Sequence, residues 1–353
     1  MSGARPGRLL RAHAGAERAT NVELFFDLVY VFAVTQLSHR LLTHPRIEGA
    51  LQTLALFGMV WLVWAYTTWV TNWLDPERLP VRSLLLALML GSLVMSAALP
   101  RAFAAQGLAV GCAYAGMQIG RSIFAVIALR GERLQRNFDR ILAWCVLSGA
   151  LAIAGGIAPG HVRELLWLLV VLVDVSGGLV GFYTPGLGRS STTDWDIEGN
   201  HFAERCQAFL LISLGESVVV IGTTLSGLRF VAGAEILAFL LSCAGAGALW
   251  WIYFDRSAEE SMGVIAASPD PGRLGRSAYH LLHPVMVAGI IVTAAADERV
   301  LTHPSAAADT ATALMVLGGS ALFIAGHAGF KAVVWRVWPT TRVGAIVVLG
   351  LLG

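Results

Sequence analysis

A chain of 353 residues that is 56% hydrophobic and 14% charged, with a mean hydropathy of +0.68, is outside the range of ordinary soluble domains. The composition specifies an all-α, polytopic transmembrane helix bundle, because helices satisfy their own backbone in lipid and the apolar runs are too continuous for a barrel. A formal net charge of +2 comes with no Walker loop, G-x-S-x-G elbow, H-E-x-x-H or folded basic module, which argues against nucleotide hydrolysis, standard hydrolase chemistry and nucleic-acid binding.

Residues 1–20 read as a basic segment, with Arg5, Arg8, Arg11 and Arg18. Thr20 and Glu23 then have the T-x-x-E spacing of a capping box, which predicts a structural cap on the first helix. Hydrocarbon about 30 Å thick needs about 20 apolar helical residues. Such runs lie near 21–42, 49–71, 82–99, 107–129, 138–158, 163–182, 203–225, 232–254, 278–296 and 312–330. An eleventh opens at Arg342 and stops at Gly353, so about ten to eleven spans are expected, the last of them cut short. The organisation predicted is a first membrane half over 21–182 with six spans, a polar loop over 183–200, and a second half over 201–353 with four spans and part of a fifth. The T-H-P triplets at 43–45 and 302–304 are expected to stop helices, and Asn200 to cap one starting at His201.

The halves echo each other. Trp64 and Tyr66 match Trp251 and Tyr253, Asp75 matches Asp255, and Arg82-Ser83 matches Arg276-Ser277, an echo open between a parallel internal duplication and coincidence. Basic residues gather in alternate loops, including Arg130, Arg133, Arg136 and Arg140, which predicts a cytoplasmic amino terminus. Cys112, Cys145, Cys206 and Cys243 fall singly in four spans, without the spacing of a disulfide framework or a cysteine metal site.

Chemistry is sought among the ionisable residues inside spans. Asp27 stands in NVELFFDLVYVFAVTQLSH, where a charge costs about 2.5–3.5 kcal/mol on insertion scales. H-x-x-E-R places His201, Glu204 and Arg205 in the first turns of the seventh span, and eleven residues bring Arg205 and Glu216 to one face. Similar depth predicts that Arg205 pairs with Asp27. The fourth span adds Gln118 and Arg121, and the sixth adds Asp174. Because Asp27, Asp174 and Glu216 face only Arg121 and Arg205, at least one carboxylate is expected to be neutral, share a proton or hold a cation, and Glu216 is expected to change protonation. Asp27, Arg121, Asp174, Arg205 and Glu216 are therefore the candidate proton or ion pathway. His280 and His283, one turn apart, form with His201 and Glu204 a candidate metal-ligand set.

ELFFDLVYVFAVTQLSH, H-x-x-E-R followed by SLGES, WWIYFD and YHLLHPVMVAGI, in this order, resemble the bacterial low temperature requirement A family from about residue 20 onward. The resemblance implies a multi-pass protein of the bacterial inner membrane and brings no reaction, substrate or cofactor. Three readings stay open: a proton- or cation-coupled transporter, a membrane-embedded enzyme with a His/Glu metal site, and a non-catalytic scaffold. The expected partners are the lipid bilayer and a proton, cation or small molecule. The residues specify no cofactor and no oligomeric state.

Overall fold

The computed structural model describes residues 9–11, 18–195, 197–227, 233–307 and 309–352; Arg5, Arg8 and the rest of the basic segment beyond these ranges lie outside the described residues. The helices are α1 (Asn21–Thr43), α2 (Ile47–Trp73), α3 (Leu79–Ala98), α4 (Gly107–Ala128), α5 (Gln135–Ile157), α6 (Gly160–Leu179), α7 (Gly199–Gly227), α8 (Gly233–Phe254), α9 (Ser257–Ala266), α10 (Pro271–Leu274), α11 (His283–Thr302), α12 (Thr310–Trp335) and α13 (Thr340–Leu352). A π turn, Gly275–His280, follows α10. Helices α1 and α11 end at the Thr of the two T-H-P triplets, where the proline forbids continuation.

Among the described residues nine helical stretches are long and apolar enough to cross a membrane, fewer than the ten to eleven expected. The difference has two causes. Helix α6 has 20 residues, about 30 Å at 1.5 Å each, but Arg163, Glu164 and Asp174 make it too charged to count. Helix α13 has 13 residues, about 20 Å. The spans that most exceed what the sequence suggested are α8 with α9, covering Gly233–Ala266, and α10 with α11, covering Pro271–Thr302. Helix α7 begins at Gly199, so Asn200 lies inside its first turn and does not cap it.

The chain forms two compact units that interleave along the sequence. The first comprises residues 1–29, 58–202 and 269–273. In it α3, α4, α5 and α6 pack in chain order. Small residues set the α4–α5 distance: a Cβ on Gly111 would lie 2.4 Å from the Ala152 carbonyl oxygen, and one on Gly156 would lie 2.8 Å from that of Gly107. Buried Arg163 donates to the carbonyls of Gly155, Gly156, Ala158, Ala102 and Ala104, closing helix ends that would otherwise leave acceptors bare. Leu10 bridges antiparallel to Leu74, with Arg11 N–H donating to the Trp73 carbonyl at 2.8 Å and Asp75 N–H to that of Leu9 at 2.9 Å. The amino-terminal segment is thereby fixed to the end of α2.

The second unit comprises residues 30–57, 203–268 and 274–353. Its tightest crossing joins α11 and α12. There a Cβ on Gly289 would lie 2.5 Å from the Phe323 backbone nitrogen, and one on Gly326 2.9 Å from that of Met286. Tyr253, Tyr279, His283 and Phe330 pack ring on ring beside this crossing.

Candidate functional site

The most connected ionisable group of the first unit is Asp174, buried on α6. Tyr114, Gln118 and Arg121 stand at i, i+4 and i+7, one face of α4 turned toward it. The Tyr114 hydroxyl donates to Asp174 Oδ2 in a short hydrogen bond. Gln118 Nε2 donates to the same oxygen at 3.0 Å, and Gln118 Oε1 accepts from Arg121 Nη2 at 2.5 Å. Gln118 therefore joins the acid to the base, its two amide ends oriented by their opposite demands. Arg121 also donates to the Val63 carbonyl at 3.2 Å and to Thr67 Oγ1 at 3.4 Å, and its Cζ lies 5.2 Å from the Tyr66 ring centroid. Tyr66 donates to the Asp174 backbone carbonyl at 3.1 Å. Asp174 Oδ1 makes no hydrogen bond among the described residues, with the Ser148 hydroxyl standing beside the carboxylate. Asp174, Arg121, Gln118 and Tyr114 are each at most 1% exposed. The sequence pointed to Asp174 and Arg121 and passed over Tyr114, although its spacing to Gln118 and Arg121 marks a polar stripe on α4.

A second network surrounds Glu23. The predicted box is half formed: Glu23 Oε2 accepts from the Thr20 backbone N–H and hydroxyl, both at 2.9 Å. The same oxygen accepts from Arg11 Nη2 at 3.2 Å, while Oε1 lies 2.9 Å from His201 Nε2. His201 Nδ1 is 3.1 Å from Asn72 Nδ2, and Asn72 also bonds the Glu198 backbone. Glu23 is a buried hub joining the starts of α1 and α7 to the end of α2, which capping alone does not explain.

Asp27, one turn deeper, accepts from the Trp64 indole N–H at 2.7 Å, both residues fully buried in the first unit. Arg205 belongs to the second unit, as do Glu204 and Glu216. Glu216 is 2% exposed, beside the Thr35 hydroxyl.

His280 and His283 do not lie in one continuous α-helix. His280 ends the π turn and α11 begins at His283, so the one-turn spacing assumed from sequence is broken. Both ring nitrogens of His283 are engaged, Nε2 with the Tyr253 hydroxyl at 2.8 Å and Nδ1 with the Ala278 carbonyl at 3.2 Å. The carbonyl fixes the proton on Nδ1, and Nε2 accepts from Tyr253. His201 is likewise engaged at both nitrogens. Neither ring offers a metal a lone pair without losing a hydrogen bond.

Asp174 is thus a buried carboxylate met at one oxygen by a tyrosine and an amide, with a guanidinium behind the amide. An all-α multi-pass membrane protein with ionisable groups inside its helices is the class this defines. The bacterial low temperature requirement A protein (LtrA) family model matches residues 18–353, and the chain belongs to that family. It is 37% identical over 344 residues to "Uncharacterized protein RA0937" of Rhizobium meliloti (strain 1021), covering 97% of this chain and 84% of that one. No solved structure matches.

Proposed function

We propose that this protein is a proton- or cation-coupled transporter of the bacterial inner membrane, with its amino terminus in the cytoplasm and Asp174 as the group that changes charge. The observation that carries the reading is the interposed Gln118. A purely structural pair would bring Arg121 onto the carboxylate directly, since a buried charge recovers its desolvation only through close, well-formed contact. Here Arg121 reaches Asp174 through an amide, and one carboxylate oxygen keeps its lone pairs. Such an acid is stabilised enough to ionise and exposed enough in energy to be neutralised by a proton or cation. Ionisable groups of this kind inside spans mark ion pathways in transporters. Arg121 and Glu216 complete the proposed pathway within their own units, and the basic loops favour the cytoplasmic orientation.

The test is proton movement in proteoliposomes carrying a pH-sensitive dye inside, under an imposed pH gradient with the membrane potential clamped. Wild type is expected to move protons and Asp174→Asn to lose the flux, while Asp194→Asn, in the loop, keeps it. Equal flux in wild type and Asp174→Asn, or none in wild type at any gradient, refutes the reading.

A further inference from the structure

The second unit holds another carboxylate that the sequence reading passed over. Asp297 lies on α11, inside the span Pro271–Thr302, and its Oδ2 is buried without a hydrogen-bond partner among the described residues. Arg299, two residues on, is committed to Asp309. The Ser242 hydroxyl of α8 stands beside the Asp297 carboxylate. On α7, Ser217 is 2% exposed and its hydroxyl also lacks a partner among the described residues.

The helix stretches that carry these three residues meet in one buried cluster. Ile221 of α7, Ala238 and Ala246 of α8 and Leu301 of α11 form a buried cluster. Ser217 is one turn before Ile221, Asp297 one turn before Leu301, and Ser242 midway between the two alanines, so each faces the same junction. The α8–α9 run and the α10–α11 run are joined by only residues 267–270, a connection short enough to make them antiparallel. Helix α7 ends at Gly227 and α8 starts at Gly233, and the two share the cluster of Ile221, Ala238 and Ala246, so a connection this short sets them antiparallel and leaves α7 and α11 parallel. Ser217 and Asp297 are thus displaced from the cluster in the same direction, to the same level.

We infer that Asp297, Ser217 and Ser242 form a binding site for one monovalent cation of the size and hardness of sodium. One carboxylate balances one positive charge, whereas a divalent ion would leave a net charge in hydrocarbon. The donors are all hard oxygens, and serine hydroxyls add lone pairs without adding charge. The unpartnered Oδ2 and Ser217 hydroxyl, each costly to bury bare, are satisfied together by a single ion. The inference rests on the coupled-transport reading for its role and adds sodium, beside the proton carried at Asp174, to the ions that the protein moves.

The experiment is a melting series of the full chain in detergent, with sodium chloride replacing choline chloride at constant ionic strength and potassium chloride in parallel. Wild type is expected to gain several degrees in melting midpoint, saturably and with sodium only. Ser217→Ala and Ser242→Ala should each raise the half-saturating sodium concentration about tenfold, Asp297→Asn should abolish the response, and Asp194→Asn should keep it. Absence of a sodium response, an equal response to potassium or choline, a response to pH alone, or a response surviving in Asp297→Asn overturns the site. If Asp297→Asn does not fold, direct binding of radioactive sodium to the two serine variants decides, and unchanged half-saturation overturns it. Sodium binding without any flux in proteoliposomes would leave the site standing and remove the transport reading.

Discussion

Replacing Glu23 by glutamine keeps the size of the side chain and removes its charge, which isolates what the hub contributes. Glu23 Oε2 accepts from Arg11 and twice from Thr20, and Oε1 meets His201. A hydrogen bond to a charged group is worth about 1.5–3 kcal/mol, and removing one partner of a buried ion pair costs about 3–5 kcal/mol. These values are not additive around one carboxylate. Glutamine also retains one acceptor oxygen, but its NH2 must face either Arg11 and Thr20, all donors, or His201. If it faces His201, the ring must take the tautomer that accepts at Nε2. The expected net loss is about 3 kcal/mol, and Arg11→Met alone should cost at least as much, because it leaves the fully buried Glu23 carboxylate without its guanidinium, whereas Arg11 lies nearer solvent. In the double variant the loss should be smaller than the sum, since the arginine then leaves no buried charge behind. Unfolding in mixed micelles, followed as a double-mutant cycle, measures both quantities. A loss below about 1 kcal/mol for Glu23→Gln, or strict additivity with Arg11→Met, would show that the pair carries no net stabilisation and that Glu23 is only a cap.

Trp64→Phe keeps an aromatic ring but is smaller and removes the N–H donor at Asp27 Oδ1, and should cost at least about 1.5–3 kcal/mol in the same unfolding assay. Gly289→Ala drives a Cβ into the Phe323 backbone, which cannot move aside as a side-chain tip would, and a loss of about 1–3 kcal/mol in melting experiments is expected. Asp309, exposed at the start of α12, is held below the ordinary carboxylate range by the Thr312 hydroxyl and backbone N–H, with Arg299 adding to it. A depressed folded-state value means that its stabilisation is complete above the unfolded value and disappears as the pH falls through the folded one. The gap in melting midpoint between wild type and Asp309→Ala should therefore be constant above about pH 5 and close progressively below about pH 4.

Helix class and most helix ends were legible because hydrocarbon imposes length and apolar continuity on every span, and because proline after Thr43 and Thr302 stops a helix whatever surrounds it. The π turn was not legible. YHLLH reads equally well as continuous helix, and only packing of Tyr279 and His283 against Phe330 shows where the register breaks. The Glu23 hub was hidden for a related reason. T-x-x-E explains the residue locally, so nothing in the string calls for the long-range partners Arg11 and His201. The division into two compact units was hidden too, since residues 30–57 belong with the second unit although they stand early in the chain.

Counting acids against arginines within spans was the step that singled out the carboxylates, and the structure shows what such a count omits. Asp27 is met by an indole, Asp174 by a phenol and an amide, and Glu216 by a neighbouring threonine, none of which enters a tally of formal charge. In a helix bundle neutral donors are plentiful, and a carboxylate accepting two or three of them is stabilised without a cation. Excess of acid over base is therefore weak evidence for an ion pathway. The sharper criterion is an oxygen left over after every donor has been assigned. Among the described acids inside helices, Asp174 Oδ1 and Asp297 Oδ2 meet it. One was named by the count and the other fell outside it, because the expected span closed at residue 296, one short of Asp297, and the nearby Arg299 is spent on Asp309 at the start of the next helix. Geometry decides which charges cancel, and it leaves these two oxygens as the places where a mobile ion would find a negative charge waiting.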